Sequence, residues 1–425
     1  SGDQCPAQGG VTMADLSVSL AGIKSPNPFW LSSGPITNTY DQVARAFDQG
    51  WGGAVWKTVG EPITNVSSRL GGLDYRGTRL QGLNNVELIS DRSIQDNLKE
   101  CALIKKRYPK HALVVSLMFE PKPAAWREIV KRTEDTGCDG LELNFSCPHG
   151  MGERGMGAAI GQDPDITKQM TTWAKEVART PVLVKLTPNI TNIQVIGRAA
   201  KAGGADALAL INTISSFTGV DLETFTPLPA VAGRSSHGGY CGPAVKPIAL
   251  NLVAELARDP QIGLPISGIG GIETWRDALE FMLLGCSTIQ VQTAVMHYGF
   301  RIVEDMIDGL NNFLDGRGIR SVRELVGVSV PKVGAWGQLD QSYQVRARIS
   351  ENKCIGCQLC YIACLDGGHQ AIDVSPDSRI PTADDKRCVG CNLCSLICPV
   401  QGCITMAVTS PGRGVMPTPV GIKTG

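Results

Sequence analysis

The sequence lacks an excess of charge of either sign, because lysine plus arginine and aspartate plus glutamate number 40 each. A balanced chain sets up no long-range field for nucleic acid or an anionic membrane surface, so neither is expected as a partner. The sequence also lacks an apolar run long enough to span a membrane, and no stretch typical of a signal peptide opens it. We therefore expect a cytoplasmic protein.

What the sequence contains is an ordinary globular composition, with 43% hydrophobic and 19% charged residues in 425. This length allows one large domain and one small one. Met13 followed by Ala-Asp-Leu is typical of a natural start, so we interpret the residues before it as a disordered leader or an addition to the natural chain. The predicted segments are a leader at 1–12, a first domain at 13–315, a linker at 316–347, a second domain at 348–410 and a flexible tail at 411–425.

The first domain alternates short apolar runs with longer helical stretches, which is typical of repeated βα units. The eight predicted strands are Phe29–Gly34, Gly53–Val59, Ala112–Met118, Gly140–Ser146, Val182–Thr187, Ala207–Thr213, Pro265–Gly271 and Ser287–Thr293. Helices are predicted at Ala124–Thr136, Asp165–Arg179, Thr191–Ala202, Val245–Ala257 and Thr274–Leu284. The fold class is α/β. Eight such units favour a (β/α)8 TIM barrel, and an open doubly wound sheet is the alternative.

Polar or glycine residues follow six of these strands at their carboxyl ends. They are Lys57, the segment Asn144 to Cys147, Lys185, Asn212 with Thr213, Gly270 with Gly271, and Thr293. In a barrel these strand ends converge on one face, where active sites lie. Their positions therefore favour the barrel over the open sheet and predict a site at that face.

Eight of the fifteen cysteines form two identical C-x2-C-x2-C-x3-C patterns near the carboxyl end. This spacing is typical of two 4Fe–4S clusters, in which the fourth cysteine of each pattern binds the other cluster. The predicted ligand sets are Cys354, Cys357, Cys360 with Cys398, and Cys388, Cys391, Cys394 with Cys364. A pair of zinc sites is the alternative. We expect a small α+β ferredoxin-like domain, with Cys403 as a buried thiol outside the ligand sets.

Clusters that carry single electrons, placed beside an enzyme barrel, need a group that converts them into two-electron chemistry. A flavin does this, and the glycines after strand seven with Thr293 after strand eight are where barrels commonly bind phosphate. Gly150, Gly152 and Gly155 match Gly-x-Gly-x-x-Gly, but they do not directly follow a strand. We interpret them as a mobile loop, so the electrons are expected to come from another protein.

The segment Asn144-Phe-Ser-Cys-Pro-His-Gly-Met-Gly-Glu-Arg-Gly-Met-Gly157 resembles the dihydropyrimidine dehydrogenases, as do Lys185–Asn189 and Asn212-Thr213. These enzymes belong to the dihydroorotate dehydrogenase superfamily. The order of barrel and two-cluster domain is similar to the bacterial form, whose FMN and iron–sulfur subunit works with a separate subunit that binds FAD and NAD(H). The resemblance extends from Asp15 to Ala407.

This resemblance implies an NAD-dependent reduction of the 5,6 double bond of uracil and thymine to dihydropyrimidines, the first step of pyrimidine degradation. FMN would deliver the hydride, and the residue that corresponds to the proton donor is Cys147. The implied substrate contacts are Asn85, Glu87, Asn144, Ser146, Asn212 and Thr213. The implied FMN contacts are Ser33, Lys57, Thr58, Asn85, Lys185, Gly242, Gly270, Gly271 and Thr293.

Two other functions remain open at this point. One is the oxidation of dihydroorotate or another cyclic ureide on the same barrel. The carboxylate of dihydroorotate would need a cationic partner, and this sequence has asparagines in the implied substrate positions instead. The other is an electron-transfer module that only docks a flavin. Such a module would leave Cys147 and the asparagines without a purpose.

Overall fold

The computed structural model describes residues 14–75, 77–150 and 155–412, without the side chains of residues 75 and 78–80. The predicted leader, and the predicted tail from residue 413 onward, lie outside these ranges. Two compact units divide the chain between Val333 and Gly334. No helix within the described ranges combines the length and the apolar character needed to cross a membrane.

The first unit contains most of the secondary structure. Its described strands are β1 (Val18–Leu20), β2 (Ile23–Ser25), β3 (Phe29–Leu31), β4 (Gly53–Val59), β5 (Leu70–Tyr75), β6 (Thr78–Asn85), β7 (Ala112–Leu117), β8 (Gly140–Asn144), β9 (Val182–Lys185), β10 (Ala207–Leu210), β11 (Ile214–Ser216), β12 (Gly219–Asp221), β13 (Thr226–Leu228), β14 (Ala230–Val231), β15 (Arg234–Ser235), β16 (Gly238–Cys241), β17 (Ile266–Ile269) and β18 (Cys286–Val291). Its described α-helices are α1 (Tyr40–Asp48), α2 (Ile94–Arg107), α3 (Pro123–Glu134), α4 (Ala158–Gly161), α5 (Pro164–Lys175), α6 (Ile193–Ala202), α7 (Lys246–Ala257), α8 (Trp275–Leu283), α9 (Thr293–Tyr298) and α10 (Ile302–Asp315).

Eight parallel strands close into a barrel in the order β10-β17-β18-β3-β4-β7-β8-β9. The closure pairs β18 with β3, where Ile289 lies opposite Phe29. The strands are buried along nearly their whole length because helices cover the outside and side chains fill the inside. The predicted TIM barrel is therefore confirmed, and the open doubly wound sheet is excluded.

The carboxyl ends of several strands lie a few residues before their predicted ends. Strand β3 ends at Leu31 instead of Gly34, and β10 ends at Leu210 instead of Thr213. The polar residues that follow leave the sheet and turn toward the carboxyl face of the barrel. The N-terminal hairpin of β1 and β2 packs Leu20 and Ile23 into an apolar cluster with barrel side chains.

A second sheet, of four antiparallel strands in the order β11-β16-β6-β5, is built from residues that follow barrel strands. In it Asn85 at the end of β6 lies opposite Gly239 of β16 on one side and Leu70 of β5 on the other. The sequence did not predict this sheet. It brings Asn85 into a fixed register beside the barrel mouth.

The second unit is small and has two similar halves. Its described elements are β19 (Tyr343–Ile349), α11 (Leu359–Gly367), β20 (Ile372–Val374), β21 (Pro381–Ala383), α12 (Leu393–Ile397) and β22 (Ile404–Pro411). Strand β19 pairs antiparallel with β22, and β20 pairs antiparallel with β21. The first five residues of β19 lie in the segment predicted as a linker. This mixture of short helices and antiparallel strands is the predicted α+β ferredoxin-like fold.

Candidate active site and cysteine pockets

A cavity with about 1150 Å³ of empty space, including space open to solvent, lies at the carboxyl ends of the barrel strands and beside the four-stranded sheet. The cavity is lined by almost all of the residues predicted for catalysis, substrate or FMN. These are Ser33, Lys57, Thr58, Asn85, Glu87, Asn144, Cys147, Lys185, Asn212, Thr213, Gly242, Gly270, Gly271 and Thr293. The exception is Ser146, which is fully buried behind the lining.

Cys147 follows strand β8 and its side chain is buried, with 9% of the residue exposed. Its Sγ lies 3.6 Å from the carbonyl oxygen of His149 and donates to it. Burial raises the pKa of this thiol to about 11, against the opposing effects of the His149 backbone and the Lys185 charge. The thiol is therefore protonated at neutral pH and holds a transferable proton at the cavity wall.

Two asparagines are held in place by a buried hydroxyl. The Ser146 Oγ donates to Asn144 Oδ1 at 2.8 Å, and it accepts from Asn212 Nδ2 at 2.9 Å. Asn144 Nδ2 in turn donates to Thr58 Oγ1 at 3.0 Å. Because Ser146 lies behind the lining, its role here is to fix the orientation of the Asn144 and Asn212 amides.

Lys57 and Glu87 form a buried ion pair, and each side chain is only 6% exposed. Arg69 adds a second cation, with Nε 3.2 Å from Glu87 Oε2. The Glu87 carboxylate, which the resemblance placed on the substrate, thus already has two cationic partners. A buried carboxylate in this position holds the ammonium group of Lys57 in place at the cavity wall.

Lys185 has a similar partner on the neighbouring strand. Its Nζ lies 3.5 Å from Glu142 Oε1 and 3.3 Å from the hydroxyls of Ser32 and Ser33. Glu142 is fully buried, and its Oε2 has no hydrogen-bond partner within the described structure. The Glu142 side chain thus lies next to the charge that faces the cavity.

Backbone groups form a tight cradle at the carboxyl ends of β17 and β18. Gly271 has a φ of +72°, and a Cβ added there would lie 2.8 Å from Lys246 N and 2.9 Å from Gly242 O. Thr293 begins helix α9 beside this cradle. The backbone atoms packed around Gly271 exclude a side chain there, and barrel phosphate sites are built in this position.

These features together test whether the residues fit a bound flavin mononucleotide. Gly242, Gly270 and Gly271 line one part of the cavity without side chains, and Lys57 and Lys185 line another. The buried Gln290 Oε1 also lines it without a hydrogen-bond partner. We conclude that the residues present fit an FMN.

Several lining residues were not assigned a role from the sequence: Ser32, His149, Tyr240, Cys241, Gln290 and Gln292. The Nε2 of His149 lies 2.8 Å from the Glu87 carbonyl oxygen, its Nδ1 has no partner, and burial lowers the pKa of the ring. Burial also raises the pKa of the Cys241 thiol to about 11, and its Sγ donates to the Leu83 carbonyl at 3.2 Å. His149 was within reach of sequence reasoning, since it lies two residues after Cys147.

The eight patterned cysteines surround two separate pockets in the second unit. Cys354, Cys357, Cys360 and Cys398 line the first cysteine pocket, with about 320 Å³ of empty space. Cys388, Cys391, Cys394 and Cys364 line the second cysteine pocket, with about 370 Å³. In each pocket the fourth cysteine comes from the other sequence pattern. These are the two groupings that the spacing predicts.

The cysteines of the second unit surround their pockets, and they do not converge on a position that a single metal ion could occupy. Within the ranges that the structure describes, no three His, Cys, Asp or Glu side chains lie close enough to hold a single metal ion. The cysteines in those ranges are also free of disulfides. Four thiols around a space larger than one ion suit a cluster better than the alternative of zinc.

Barrel, cavity and cysteine pockets define an oxidoreductase that combines flavin and iron–sulfur chemistry. The family model for dihydroorotate dehydrogenase matches residues 15–314, and the model for a 4Fe-4S dicluster domain matches residues 347–406. The chain belongs to the dihydroorotate dehydrogenase family.

Two of the relatives are named as dihydropyrimidine dehydrogenases. The NAD-dependent dihydropyrimidine dehydrogenase subunit PreA of Escherichia coli is 44% identical over 369 residues, which cover 86% of this chain and 89% of that one. The chloroplastic dihydropyrimidine dehydrogenase (NADP(+)) of Arabidopsis thaliana is 43% identical over 74% of this chain and 77% of its own.

Other relatives are named as dihydroorotate dehydrogenases. The dihydroorotate dehydrogenase B (NAD(+)) catalytic subunit of Pyrococcus abyssi is 35% identical over 74% of this chain and 99% of its own. Among solved structures, the dihydroorotate dehydrogenase of Eimeria tenella in complex with ferulenol superposes with a TM-score of 0.61. It covers 74% of this chain and 88% of that one at 20% identity, which supports the fold alone.

Proposed function

We propose that this chain reduces the 5,6 double bond of uracil and thymine, as the FMN and iron–sulfur subunit of a dihydropyrimidine dehydrogenase. The observation that carries the proposal is the protonated Cys147 thiol, which lines the same cavity as the oriented amides of Asn144 and Asn212. The identity to two dihydropyrimidine dehydrogenases over most of the chain supports it.

The amides suit a pyrimidine ring. Uracil and thymine present carbonyl oxygens beside ring N–H groups, and an asparagine amide offers both a donor and an acceptor. Because Ser146 fixes the amides of Asn144 and Asn212, their orientation is set before the substrate arrives. We assign the substrate contacts to Asn85, Glu87, Asn144, Asn212 and Thr213, with Ser146 acting through its neighbours.

Cys147 is the proposed proton donor. When FMN is bound and reduced, the chemistry that it supplies is a hydride for one carbon of the 5,6 double bond. The Cys147 Sγ–H gives its proton to the other carbon, so the ring gains two hydrogens and the thiol becomes a thiolate. Burial disfavours that thiolate, which drives Cys147 to recover a proton before the next turnover.

The lysines act electrostatically. An ammonium group close to a flavin ring favours its negatively charged reduced form. The paired carboxylates hold Lys57 and Lys185 against the cavity wall. We assign the FMN contacts to Ser33, Lys57, Thr58, Asn85, Lys185, Gly242, Gly270, Gly271 and Thr293.

Electrons are proposed to enter through two 4Fe–4S clusters. The ligands are Cys354, Cys357, Cys360 and Cys398 for one cluster, and Cys388, Cys391, Cys394 and Cys364 for the other. The source is a partner subunit that binds FAD and oxidises NAD(P)H, in a hetero-oligomer. Support comes from the Escherichia coli relative, which is itself named as a subunit. Eight reduced thiols suit a reducing cytoplasm.

Oxidation of dihydroorotate is the second candidate, since a 35% identical relative has that name. A substrate carboxylate needs a cation that is not already neutralised. The two lysines that line the described cavity, Lys57 and Lys185, each face a carboxylate of the protein. This pairing favours an uncharged pyrimidine over a carboxylated one.

The test uses the full chain purified anaerobically and loaded with FMN, iron and sulfide. The flavin is reduced chemically, and its absorbance is followed after addition of uracil, thymine or orotate. We expect uracil or thymine to reoxidise it. A response to orotate alone would favour dihydroorotate chemistry, and no pyrimidine binding at millimolar concentration would favour an electron-transfer module.

Replacement of Cys147 tests the proton donor. We expect Cys147→Ala to keep chemical reduction of the flavin and to lose about two to four orders of magnitude in pyrimidine turnover, the usual contribution of a general acid. Cys241→Ala is the matched control, since it removes the other thiol that lines the cavity, which is half-buried. Equal turnover in Cys147→Ala and the parent chain would contradict the assignment.

A further inference from the structure

Two backbone segments meet at the glycine cradle of the cavity. One spans residues 242–246 and ends where helix α7 begins, and the other spans residues 270–274 and leads from β17 to α8. The segments are in close contact, since a Cβ added at Gly271 would lie 2.8 Å from the Lys246 backbone nitrogen. The glycines of the cradle have no side chains to fix this approach, so a bond that fixes it must come from elsewhere.

Asp277, in the first turn of helix α8, bonds to both segments. Its Oδ2 accepts hydrogen bonds from the backbone N–H groups of Glu273 at 3.1 Å and Thr274 at 2.9 Å. Its Oδ1 accepts a hydrogen bond from the Lys246 ammonium group at 2.6 Å. One carboxylate therefore ties the segment that contains Gly271 to the residue that begins α7.

Part of this arrangement is an ordinary helix cap. Thr274 and Asp277 form a capping box, in which the side chain of each accepts a hydrogen bond from the backbone N–H of the other. A cap involves only the first turn of its own helix, so the bond from Lys246 is additional to it. Lys246 is held further by Glu280, whose Oε2 lies 2.9 Å from the Lys246 Nζ.

Barrel sites at these strand ends bind phosphate largely through backbone N–H groups. The direction of a backbone N–H is set by its segment, so a small shift of one segment changes the direction of every donor that it carries. Two segments that share one phosphate must therefore keep a fixed separation. The ion pair of Asp277 and Lys246 connects the two segments from outside the cavity, since neither residue is among the described residues that line it.

We propose that Asp277 and Lys246 are positioning residues for the FMN phosphate, and that their ion pair holds the 242–246 and 270–274 segments at the separation that the phosphate requires. The inference rests on the proposed function, because it takes the cavity as an FMN site. The sequence assigned neither residue a role, and their pairing arises only when α7 and α8 are assembled on the barrel.

The test compares two flavins that differ only in the phosphate, FMN and riboflavin. The full chain is freed of flavin under anaerobic conditions and titrated with each, and binding is followed by flavin fluorescence. We expect Asp277→Ala to bind FMN about tenfold more weakly, the effect of weakening one hydrogen bond to a charged group. Its affinity for riboflavin should equal that of the parent chain.

A second variant separates positioning from simple electrostatics. Asp277→Ala removes a negative charge and Lys246→Met removes a positive one, so a through-space effect on the anionic phosphate would change FMN affinity in opposite directions. Positioning predicts weaker FMN binding in both variants. Lys246→Arg, which keeps a cation for Asp277, should retain most of the affinity.

Asp96→Ala is the matched control for loss of a helix cap. Asp96 lies in the first turn of α2, and its Oδ2 accepts a hydrogen bond from the hydroxyl of the N-cap residue Ser93 at 2.6 Å. Neither residue lines the cavity. The affinity of this variant for FMN should equal that of the parent chain.

Four outcomes would count against these proposals. An unchanged or increased FMN affinity in Asp277→Ala would overturn the inference. So would an equal loss of FMN and riboflavin affinity, which would indicate general damage to the cavity, and so would a parent chain that binds riboflavin as tightly as FMN. A parent chain that binds neither flavin would instead overturn the proposed function, on which the inference rests.

Discussion

The thiol of Cys147 lies where its ionised form is disfavoured, and this has a direct consequence for pH dependence. An ordinary thiol has a pKa of ~8.5 and loses its proton across the mildly alkaline range. Burial raises the pKa of Cys147 to about 11, so the protonated form that donates to the substrate persists at higher pH. We predict that pyrimidine reduction shows no loss of the Cys147 proton between about pH 7 and 9.

The reverse reaction provides the complementary measurement. Oxidation of a dihydropyrimidine requires the Cys147 thiolate as a base, so its rate should rise with pH throughout the same range. Steady-state rates in both directions, measured across this pH range, separate the two pH dependences. Flavin reduction by dithionite is the control for effects of pH on the rest of the protein. A fall in the reducing direction centred near the ordinary thiol pKa would contradict the prediction.

Glu142 is the residue whose effect on the flavin site is easiest to isolate. Its carboxylate lies 3.5 Å from the Lys185 ammonium and partly cancels that charge. We predict that Glu142→Gln raises the midpoint potential of bound FMN, because an uncompensated Lys185 stabilises the reduced, anionic ring more strongly. Spectroelectrochemical titration measures the shift. Glu128→Gln, whose carboxylate pairs with Arg132 on the exposed face of α3, is the control and should leave the potential unchanged.

At the scale of elements, the barrel was predictable because each of its strands is a local apolar run that packs on both faces. The four-stranded sheet was not. Its strands contain glycine and polar residues, and β6 pairs with β16 across more than 150 residues of sequence, as in Asn85 with Gly239. Pairing over such a distance leaves no periodic signal in the sequence of either strand.

That sheet makes a specific prediction at Gly82 in β6. A Cβ added there would lie 1.9 Å from the Tyr240 Oη, so the side chain of Tyr240 would have to move away from β6. We predict that Gly82→Ala costs about 1–3 kcal/mol of stability, the usual cost of overpacking, and raises KM for the pyrimidine because Asn85 ends the same strand.

Thermal unfolding and steady-state kinetics measure the two effects of Gly82→Ala. The control is Gly337→Ala, since a methyl group at Gly337 meets nothing within 4 Å. A KM equal to that of the parent chain would show that the register of β6 does not position Asn85 for the substrate.

The candidate site shows a similar limit of sequence reasoning. The cysteine groupings were predictable because three cysteines of each set lie within a few residues of one another, and the repeated pattern supplies the fourth from the other set. The partners of the lysines were not, since Lys57 pairs with Glu87 and Lys185 with Glu142 only after the strands are assembled. Glu142 did leave a signal in the sequence, as a charged residue between Leu141 and Leu143 of a buried strand.

At the scale of the whole molecule, the two units differ in what forms their cores. The buried apolar cluster of the second unit consists of Ala347, Cys360, Ile372, Cys394, Cys403 and Ile404. Half of these residues are cysteines, so little apolar surface remains to stabilise the unit without its clusters. The barrel, in contrast, has an extensive apolar core of its own.

We therefore predict that removing iron with a chelator unfolds the second unit and leaves the first folded. Hydrogen exchange followed by mass spectrometry should show loss of protection over Tyr343–Pro411, with unchanged protection in the barrel strands. FMN content, measured in the same samples, controls for damage to the first unit. Retained protection in β19 and β22 after complete iron removal would contradict this.

Closure of the barrel through β3 and β18 also has a consequence for biosynthesis. These strands lie near opposite ends of the first unit, and the cavity is incomplete until Thr293, directly after β18, is in place. Ribosomes release a chain from its amino end, so no nascent chain that stops short of Thr293 presents the full binding surface. We therefore expect capture of a flavin to follow the addition of β18 to the barrel, late in synthesis of the first unit.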